Sequence, residues 1–510
     1  MKKIFVSAFL AASLLTNLTF GQKPKATPAT AKPAASNTAI EASVPIFTKT
    51  LANGLDVIVY QDSSVPLVTA EMAVRNGSFT EPPELNGLSH LYEHMFFKSN
   101  DAIVLRRCEM RMQDPRCGNA AALKARVGDA SYLDKIGDLG LVYNGSTREE
   151  VVNYYYTTTS PYIEAAIRTL NDAIRYPVFD EGELNDEKKV VIGEMDRQDA
   201  NPYSDLARVL NEKLFYKYPT RKTPIGTRES VQNATTDKMR LIQSRYYVPN
   251  NAALVVTGDV KPEQVFAIAE RLMGSWQRRA VDPFKDFPVV EHPPLEKSEG
   301  LVIAKRSGDA GEDQNIAINI GWHGPSIGKD NAATYAADVF SYILSQPDSR
   351  FQRNLVDAGL ASGVGIGYYT QRNIGPINVV VQTTPDKAKA ALKAVYTEIA
   401  QFASPGYFTD EELESSKTIL AANDLYDREK SSEYTHTLGF WWSSTGIDYF
   451  RGYQKNLNAV SRADITRYVE TYIIGKPHVG IALVALAVKT QANLTEADLI
   501  GTASPRAMPR

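Results

Sequence analysis

The feature that most constrains this chain is an internal duplication. From Gly140-Leu141 the order runs polar strand, aromatic-rich strand to Pro161, a helix with Ala165, Ala166 and Leu170, then Phe179, Asp180 and Glu183-Leu184. The same order returns from Gly359-Leu360: a strand through Val379, Val380 and Val381, then Pro385, a helix with Ala390, Ala391 and Leu392, then Phe408, Asp410 and Glu412-Leu413. A unit that recurs with its element order intact buries the same faces twice. Strands mixed with helices in each copy predict an α+β fold of two homologous sandwich domains, each a mixed or antiparallel sheet covered by helices. At 510 residues the chain also exceeds what one core sustains. The expected domains are 43–281 and 298–510, joined by a Pro-rich linker at 282–297.

The first domain opens with two alternating runs: Leu55, Val57 and Val59, then Val68, Ala70, Met72 and Val74. They predict two strands with one buried face each. Asn53-Gly54 and Asn76-Gly77 mark turns. Leu88, Leu91, Tyr92, Met95 and Phe96 then fall on one face of a helix. Ahead of all this, Lys2 and Lys3, the apolar run Ile4 to Leu15 and the small residues Thr19 and Gly21 read as a signal peptide over 1–21. Residues 22–42 read as a disordered linker. The expected location is therefore periplasmic or secreted, with no stable membrane span after cleavage. Export favours a Cys108–Cys117 disulfide between the two cysteines. A net charge of −3 argues against a nucleic-acid partner.

The chemistry is concentrated in His90-Leu91-Tyr92-Glu93-His94, which uses two of only six histidines. Residues four apart share a helix face, so both imidazoles reach one ion, with Glu93 beside them to take a proton from water. A catalytic zinc needs a third protein ligand and an open position. The repeat shows where to look. Glu187 and Glu194 lie seven apart on a helix of the first copy, where the second copy has Ser416 and Asn423. The second copy also lacks the His/Glu/His pattern. Metal-type residues are thus present together in one copy and absent together in the other. The expected ligands are His90, His94 and Glu194 on one Zn2+ per chain. Glu93 is the expected catalytic base and Glu187 a partner that orients a ligand.

The stretch Gly87-Leu88-Ser89-His90-Leu91-Tyr92-Glu93-His94-Met95-Phe96-Phe97-Lys98, with Gly77-Ser78 and Glu81 before it, resembles the core signature of the pitrilysin/insulinase metallopeptidases, the inverzincins. Thr50-Leu51-Ala52-Asn53-Gly54-Leu55 is similar to that family's first strand. Asn144-Gly145-Ser146-Thr147 is similar to its Asn-Ala-x-Thr strand, and Glu187 and Glu194 match its paired glutamates. The resemblance covers 46–488, most strongly 46–260, and its length fits the short branch that includes mitochondrial processing peptidase and bacterial two-domain relatives. It implies a clam-like half chamber and a zinc-dependent endopeptidase acting on unfolded or oligopeptide substrates. It also implies a sheet edge around Asn144 and Thr147 to which substrate adds as a strand. Two departures stand out. An insertion occupies about 99–134, beside the metal pentad. The Arg and Tyr that the family's distal half offers to the substrate carbonyl are replaced by Leu355 and Ser362, with Arg350, Arg353, Tyr368 and Tyr369 nearby but off register. The expected form is therefore the zinc-bearing subunit of a heterodimer whose homologous sister supplies Arg and Tyr, or a homodimer. The alternative is a catalytically inactive structural or partner-binding homologue.

Overall fold

A computed structural model describes residues 45–501 apart from 113, 137–139 and 306–314. The expected signal peptide (1–21) and the linker over 22–42 lie outside the described residues. Eleven strands form two sheets among these residues. The first contains β1 (Ile46–Thr50), β2 (Asp56–Gln61), β3 (Leu67–Val74), β4 (Val142–Thr147), β5 (Val152–Thr159) and β6 (Ala252–Gly258), in the order β1-β2-β6-β3-β5-β4. The second contains β7 (Glu299–Lys305), β8 (Ile316–His323), β9 (Gly363–Tyr368), β10 (Pro376–Thr383) and β11 (Val479–Ala485), in the order β7-β11-β8-β10-β9. Apart from β1, the two orders are the same permutation. Each sheet also has one parallel pair at the same place, β2 with β6 and β7 with β11. The duplication read from sequence is a duplication of topology, and the α+β class holds.

The helices that matter here are α1 (Leu88–Phe96), α2 (Asp101–Glu109), α3 (Ile163–Arg175), α4 (Glu181–Asp199), α5 (Pro202–Leu214), α6 (Asn331–Ser345), α7 (Ala388–Gln401), α8 (Asp410–Glu429) and α9 (Ser431–Ser444). Helices α1 and α3 lie against the first sheet, burying Leu88, Leu91, Tyr92, Ile167 and Leu170 with Val57, Met72 and Leu254. Helices α6 and α7 do the same in the second half, with Phe340, Leu392 and Val395 against Ile318 and Val379.

The opposite faces carry a feature that the alternation did not foretell. Strand β3 is buried on both faces from Val68 to Val74, not on one. The cover comes from the other half. Tyr434, Leu438 and Trp442 of α9 pack on Ile58, Ala73, Ala253 and Val255 of the first sheet. Reciprocally, Leu206, Leu210 and Leu214 of α5 pack on Ala317, Val479 and Ile481 of the second. Since α5 follows α4 as α9 follows α8, the exchange is symmetric, and the two copies are interlocked. Polar contacts accompany it: Trp442 Nε1 donates to Asp56 at 2.8 Å, and the Arg75 guanidinium lies 4.1 Å over the Trp442 ring. The Glu150 carboxylate accepts the backbone N–H groups of Arg372 and Asn373 at 2.8 and 3.0 Å. The segment expected as the interdomain linker, 282–297, makes packing contacts. Phe284 stacks on Phe79 at 5.9 Å, and His292 is buried beside Phe215 and His323. No helix among the described residues is long and apolar enough to cross a membrane.

Candidate active site

Helix α1 starts where local geometry leaves little choice. Gly87 has φ +84, and a Cβ there would fall 2.5 Å from Gly226 Cα, so the backbones touch only because both residues are glycine. The buried Glu81 carboxylate accepts the N–H groups of Gly87 at 2.8 Å and Ser89 at 2.6 Å, anchoring the first turn. Burial pushes Glu81 up to about 7 against those hydrogen bonds. With the apolar face of α1 held in the core, His90, Glu93 and His94 are presented towards α4 and β4. Helix α4 is capped by Asp180, whose carboxylate accepts from Gly182 N at 2.9 Å and Glu183 N at 3.2 Å. Its buried face comprises Leu184, Glu187, Val191 and Met195.

The two helices bring the expected metal residues together. His90, His94 and Glu194 each offer one donor atom, all within 4.8 Å of one another. His90 Nε2 and His94 Nε2 both lie 3.6 Å from Glu194 Oε2. Those distances are close to the edge of a tetrahedron with arms of ~2.0–2.1 Å, and the two nitrogens and one oxygen leave a fourth position open. The donor set therefore fits zinc. His94 Nδ1 meets Glu187 Oε2 at 2.9 Å, and Lys98 closes the row with an ion pair to Glu187. Burial, helped by His94, lowers His90 to about 4, so its ring is neutral and keeps a lone pair. Burial also opposes charge on His94, but Glu187 and Glu194 outweigh it and raise that ring to about 10 without metal. Burial likewise opposes ionisation of Glu187 and Glu194, and hydrogen bonds to His94 override it and hold both carboxylates below their ordinary range. Burial raises Glu93 to about 7, in the range suited to proton transfer near neutrality, although His94 and Thr147 pull it down.

Strand β4 is the edge of its sheet, with Val142 and Tyr143 exposed. Thr147, expected to bind substrate, donates its hydroxyl to Glu93 Oε2 at 2.7 Å. Its side chain orients Glu93. Asn144 hydrogen-bonds the side chain of Tyr155. Gly145 lies against Glu93, where a Cβ would come within 2.7 Å of Glu93 Cγ. Sequence reasoning missed Lys98 and the anchoring role of Glu81. Their signal was position alone: Lys98 is one turn beyond His94, and Glu81 sits at the start of the motif.

The residues expected at the family's Arg and Tyr positions are engaged elsewhere. Leu355 is wholly buried in the second core, and Ser362 Oγ donates to the Gln382 carbonyl at 3.3 Å. The off-register candidates are engaged locally: Arg353 donates to the Asp348 carbonyl, and Tyr368 to the Pro325 carbonyl at 2.9 Å. Cys108 and Cys117 are bonded, with Cα atoms 5.4 Å apart.

The second copy keeps the frame of the cluster with neutral groups. Asn423 Nδ2 on α8 donates to the Tyr342 hydroxyl on α6 at 2.8 Å, and Gln346 Nε2 donates to Ser416 Oγ at 2.6 Å. Asp338 lies one turn before Tyr342, where His90 precedes His94. Burial raises its carboxyl to about 7, and its one hydrogen bond is from the Tyr453 hydroxyl. A folded-state value above the unfolded one gives stability that is complete below pH ~4 and is lost as pH rises towards 7. Asp338→Asn is therefore expected to flatten that slope and raise stability at pH 8 by a few kcal/mol, since each pH unit between the unfolded and folded values is worth about 1.4 kcal/mol. Urea unfolding at pH 5 and pH 8 checks this. An unchanged difference between the two pH values in the variant would refute it.

Comparison with known proteins gives the family of the chain. The family described as "Insulinase (Peptidase family M16)" matches residues 57–103 and 124–228, and "Peptidase M16 inactive domain" matches 233–420. The unmatched stretch between 103 and 124 falls within the expected insertion. An uncharacterised zinc protease of Bacillus subtilis is 25% identical over 75% of this chain and 84% of its own length. A Helicobacter pylori zinc protease is 24% identical over 83% of this chain and 89% of its own. Among solved structures, a protease from Helicobacter pylori superposes with a TM-score of 0.72 at 21% identity, covering 86% of this chain and 99% of that one. A putative M16-like peptidase from Alicyclobacillus acidocaldarius gives 0.71 at 18% identity, covering 88% and 99%. The chain belongs to the insulinase family of M16 peptidases.

Proposed function

We propose that this chain is a zinc-dependent endopeptidase for unfolded or oligopeptide substrates, and the zinc-bearing subunit of an exported heterodimer. The observation that carries the reading is the convergence of His90, His94 and Glu194 within 4.8 Å, with Glu93 beside them under the edge strand β4. When bound, zinc supplies Lewis acidity towards the scissile carbonyl and towards water. Glu93, held by Thr147, takes the proton of the attacking water and later delivers it to the leaving amine. Main-chain pairing to β4 aligns an extended peptide whatever its sequence, which favours unfolded chains over compact ones. Glu187 and Lys98 fix the His94 ring and its tautomer.

The burial of Leu355 favours a partner. A carbonyl oxygen that develops charge needs donors, and loss of one such donor slows turnover by about 10²–10³. A homologous sister that has lost the metal residues and kept Arg and Tyr is the proposed source. A probable mitochondrial-processing peptidase subunit beta of Arabidopsis thaliana is 24% identical over 48% of this chain and 41% of its own length. The same burial supports a second reading, an inactive structural or partner-binding homologue. Titrating such a sister into this chain at fixed zinc separates the two. We expect about one zinc per chain, weak cleavage of unstructured peptides alone and a rise of about 10²–10³ with the sister. Full turnover by the isolated chain, unchanged on mixing, would overturn the partner; zinc binding without turnover in any mixture would favour the inactive reading.

A further inference from the structure

The stretch that the family match passes over, between 103 and 124, is not a detached surface loop. Its Cys108–Cys117 bridge spans nine residues and joins the end of α2 to a short turn at Pro115–Asn119. An arginine precedes each cysteine; Arg116 reaches the N-terminal end of α4 directly, and Arg107 reaches it through Ser99. Arg107 donates to Ser99 Oγ at 3.1 Å, and Ser99 donates from Oγ and N to the Glu183 carboxylate at 2.6 and 3.0 Å. Arg116 grips Asp114 with two bonds of 2.7 Å and lies 3.7 Å from Asp180, the cap of α4. Ser99 sits just past α1. The contacts therefore tie the end of the helix that carries His90 and His94 to the start of the helix that carries Glu187 and Glu194.

We propose that the disulfide-closed insertion is a clamp on the ligand helix, with Arg107 and Arg116 as positioning residues for the metal site; this rests on the zinc reading above. Ion pairs this exposed are weak singly. The covalent closure makes the clamp stiff by tying the two segments that carry the guanidinium groups into one small loop. The lever is long. Glu183 to Glu194 spans about 16 Å of helix, so a tilt of about 4° at the clamped end moves the Glu194 carboxylate by about 1 Å. That exceeds the ~0.5 Å within which a ligand set must be held.

Simple electrostatics predicts the opposite sign. Removing positive charge near a cation site tightens cation binding, whereas loss of a positioning clamp weakens it. The test measures zinc affinity by chelator competition, together with the unfolding temperature of each metal-free form. It compares the native chain with Cys108→Ser/Cys117→Ser, Arg107→Ala/Arg116→Ala and Arg107→Lys/Arg116→Lys. Both the serine and alanine pairs are expected to bind zinc about tenfold more weakly, with the metal-free unfolding temperature unchanged in the alanine pair and lowered in the serine pair by loss of the cross-link, and affinity recovered in part by the lysine pair. The alanine pair keeps the bridge and the small core of Ala102, Val104, Leu105 and Leu123, so it decides the matter should the serine pair not fold. Affinity unchanged or tightened in the alanine pair, or weakened only in step with a lower unfolding temperature, would overturn the clamp. The native chain is measured first. Failure of that chain to bind zinc refutes the metal reading itself, which is a different result.

Discussion

Glu93→Gln is expected to lose turnover by about 10²–10⁴, the usual contribution of a positioned base, while keeping its zinc. That loss is about 3–5 kcal/mol of transition-state stabilisation. Glutamine is close in shape, and its carbonyl can still accept the Thr147 hydroxyl that now bonds Glu93 at 2.7 Å, so the fold and the ligand cluster should be undisturbed. What disappears is the ability to take a proton. Glu194→Gln should fail differently. It leaves two imidazoles where three donors converge, and zinc content measured by mass spectrometry should fall well below one per chain. Chelation of the native protein should reproduce that loss of activity, and added zinc should reverse it. Full zinc occupancy in the Glu194 variant would remove it from the ligand set. A Glu93 variant that cleaves at the native rate would leave the proton transfer without an agent.

The second large effect concerns the exchange of helices between the halves. Residues 43–281 expressed alone should be aggregated or molten, and so should 298–510. Without α9, the first sheet exposes Ile58, Ala73, Ala253 and Val255, and without α5 the second exposes Ala317, Val479 and Ile481. The helices in turn expose Tyr434, Leu438 and Trp442, and Leu206, Leu210 and Leu214. At about 1.5–3 kcal/mol for each large apolar side chain, the lost burial is about 10 kcal/mol or more. That matches the whole stability of an ordinary domain, about 5–15 kcal/mol. Co-expression should restore a soluble complex, and the intact chain should unfold in one transition. A soluble, cooperatively folded 43–281 fragment would show that the exchanged helices are dispensable. On the expected outcome, the domain limits read from sequence describe a repeat, and the folding unit is the interlocked pair.

Much of the site was legible in the sequence. The pentad places two imidazoles on one face through helix periodicity alone, and the contrast of Glu187 and Glu194 with Ser416 and Asn423 identified the partner helix. Both inferences depend on spacing within one helix or on order within a repeat, which the linear chain carries directly. The role of Thr147 was not legible. A hydroxyl on an edge strand has no partner in the linear chain, and its bond to Glu93 exists only through the approach of β4 to α1, opened by Gly145. The outer face of β3 misled for a related reason. Thr69 and Glu71 alternate with apolar residues and read as a solvent face, yet both are buried. Thr69 bonds Thr157 at 2.8 Å, and Glu71 pairs with His436 on a helix from the other half of the chain. A buried polar group looks exposed in sequence whenever its partner is remote. The sequence by itself determined the repeat, the class of the elements it repeats and the metal-type residues, because these are carried by order and spacing along the chain. Only the tertiary structure decided which helix covers which sheet, which side chain orients Glu93 and what the disulfide loop holds, because each depends on contacts between segments far apart in the chain.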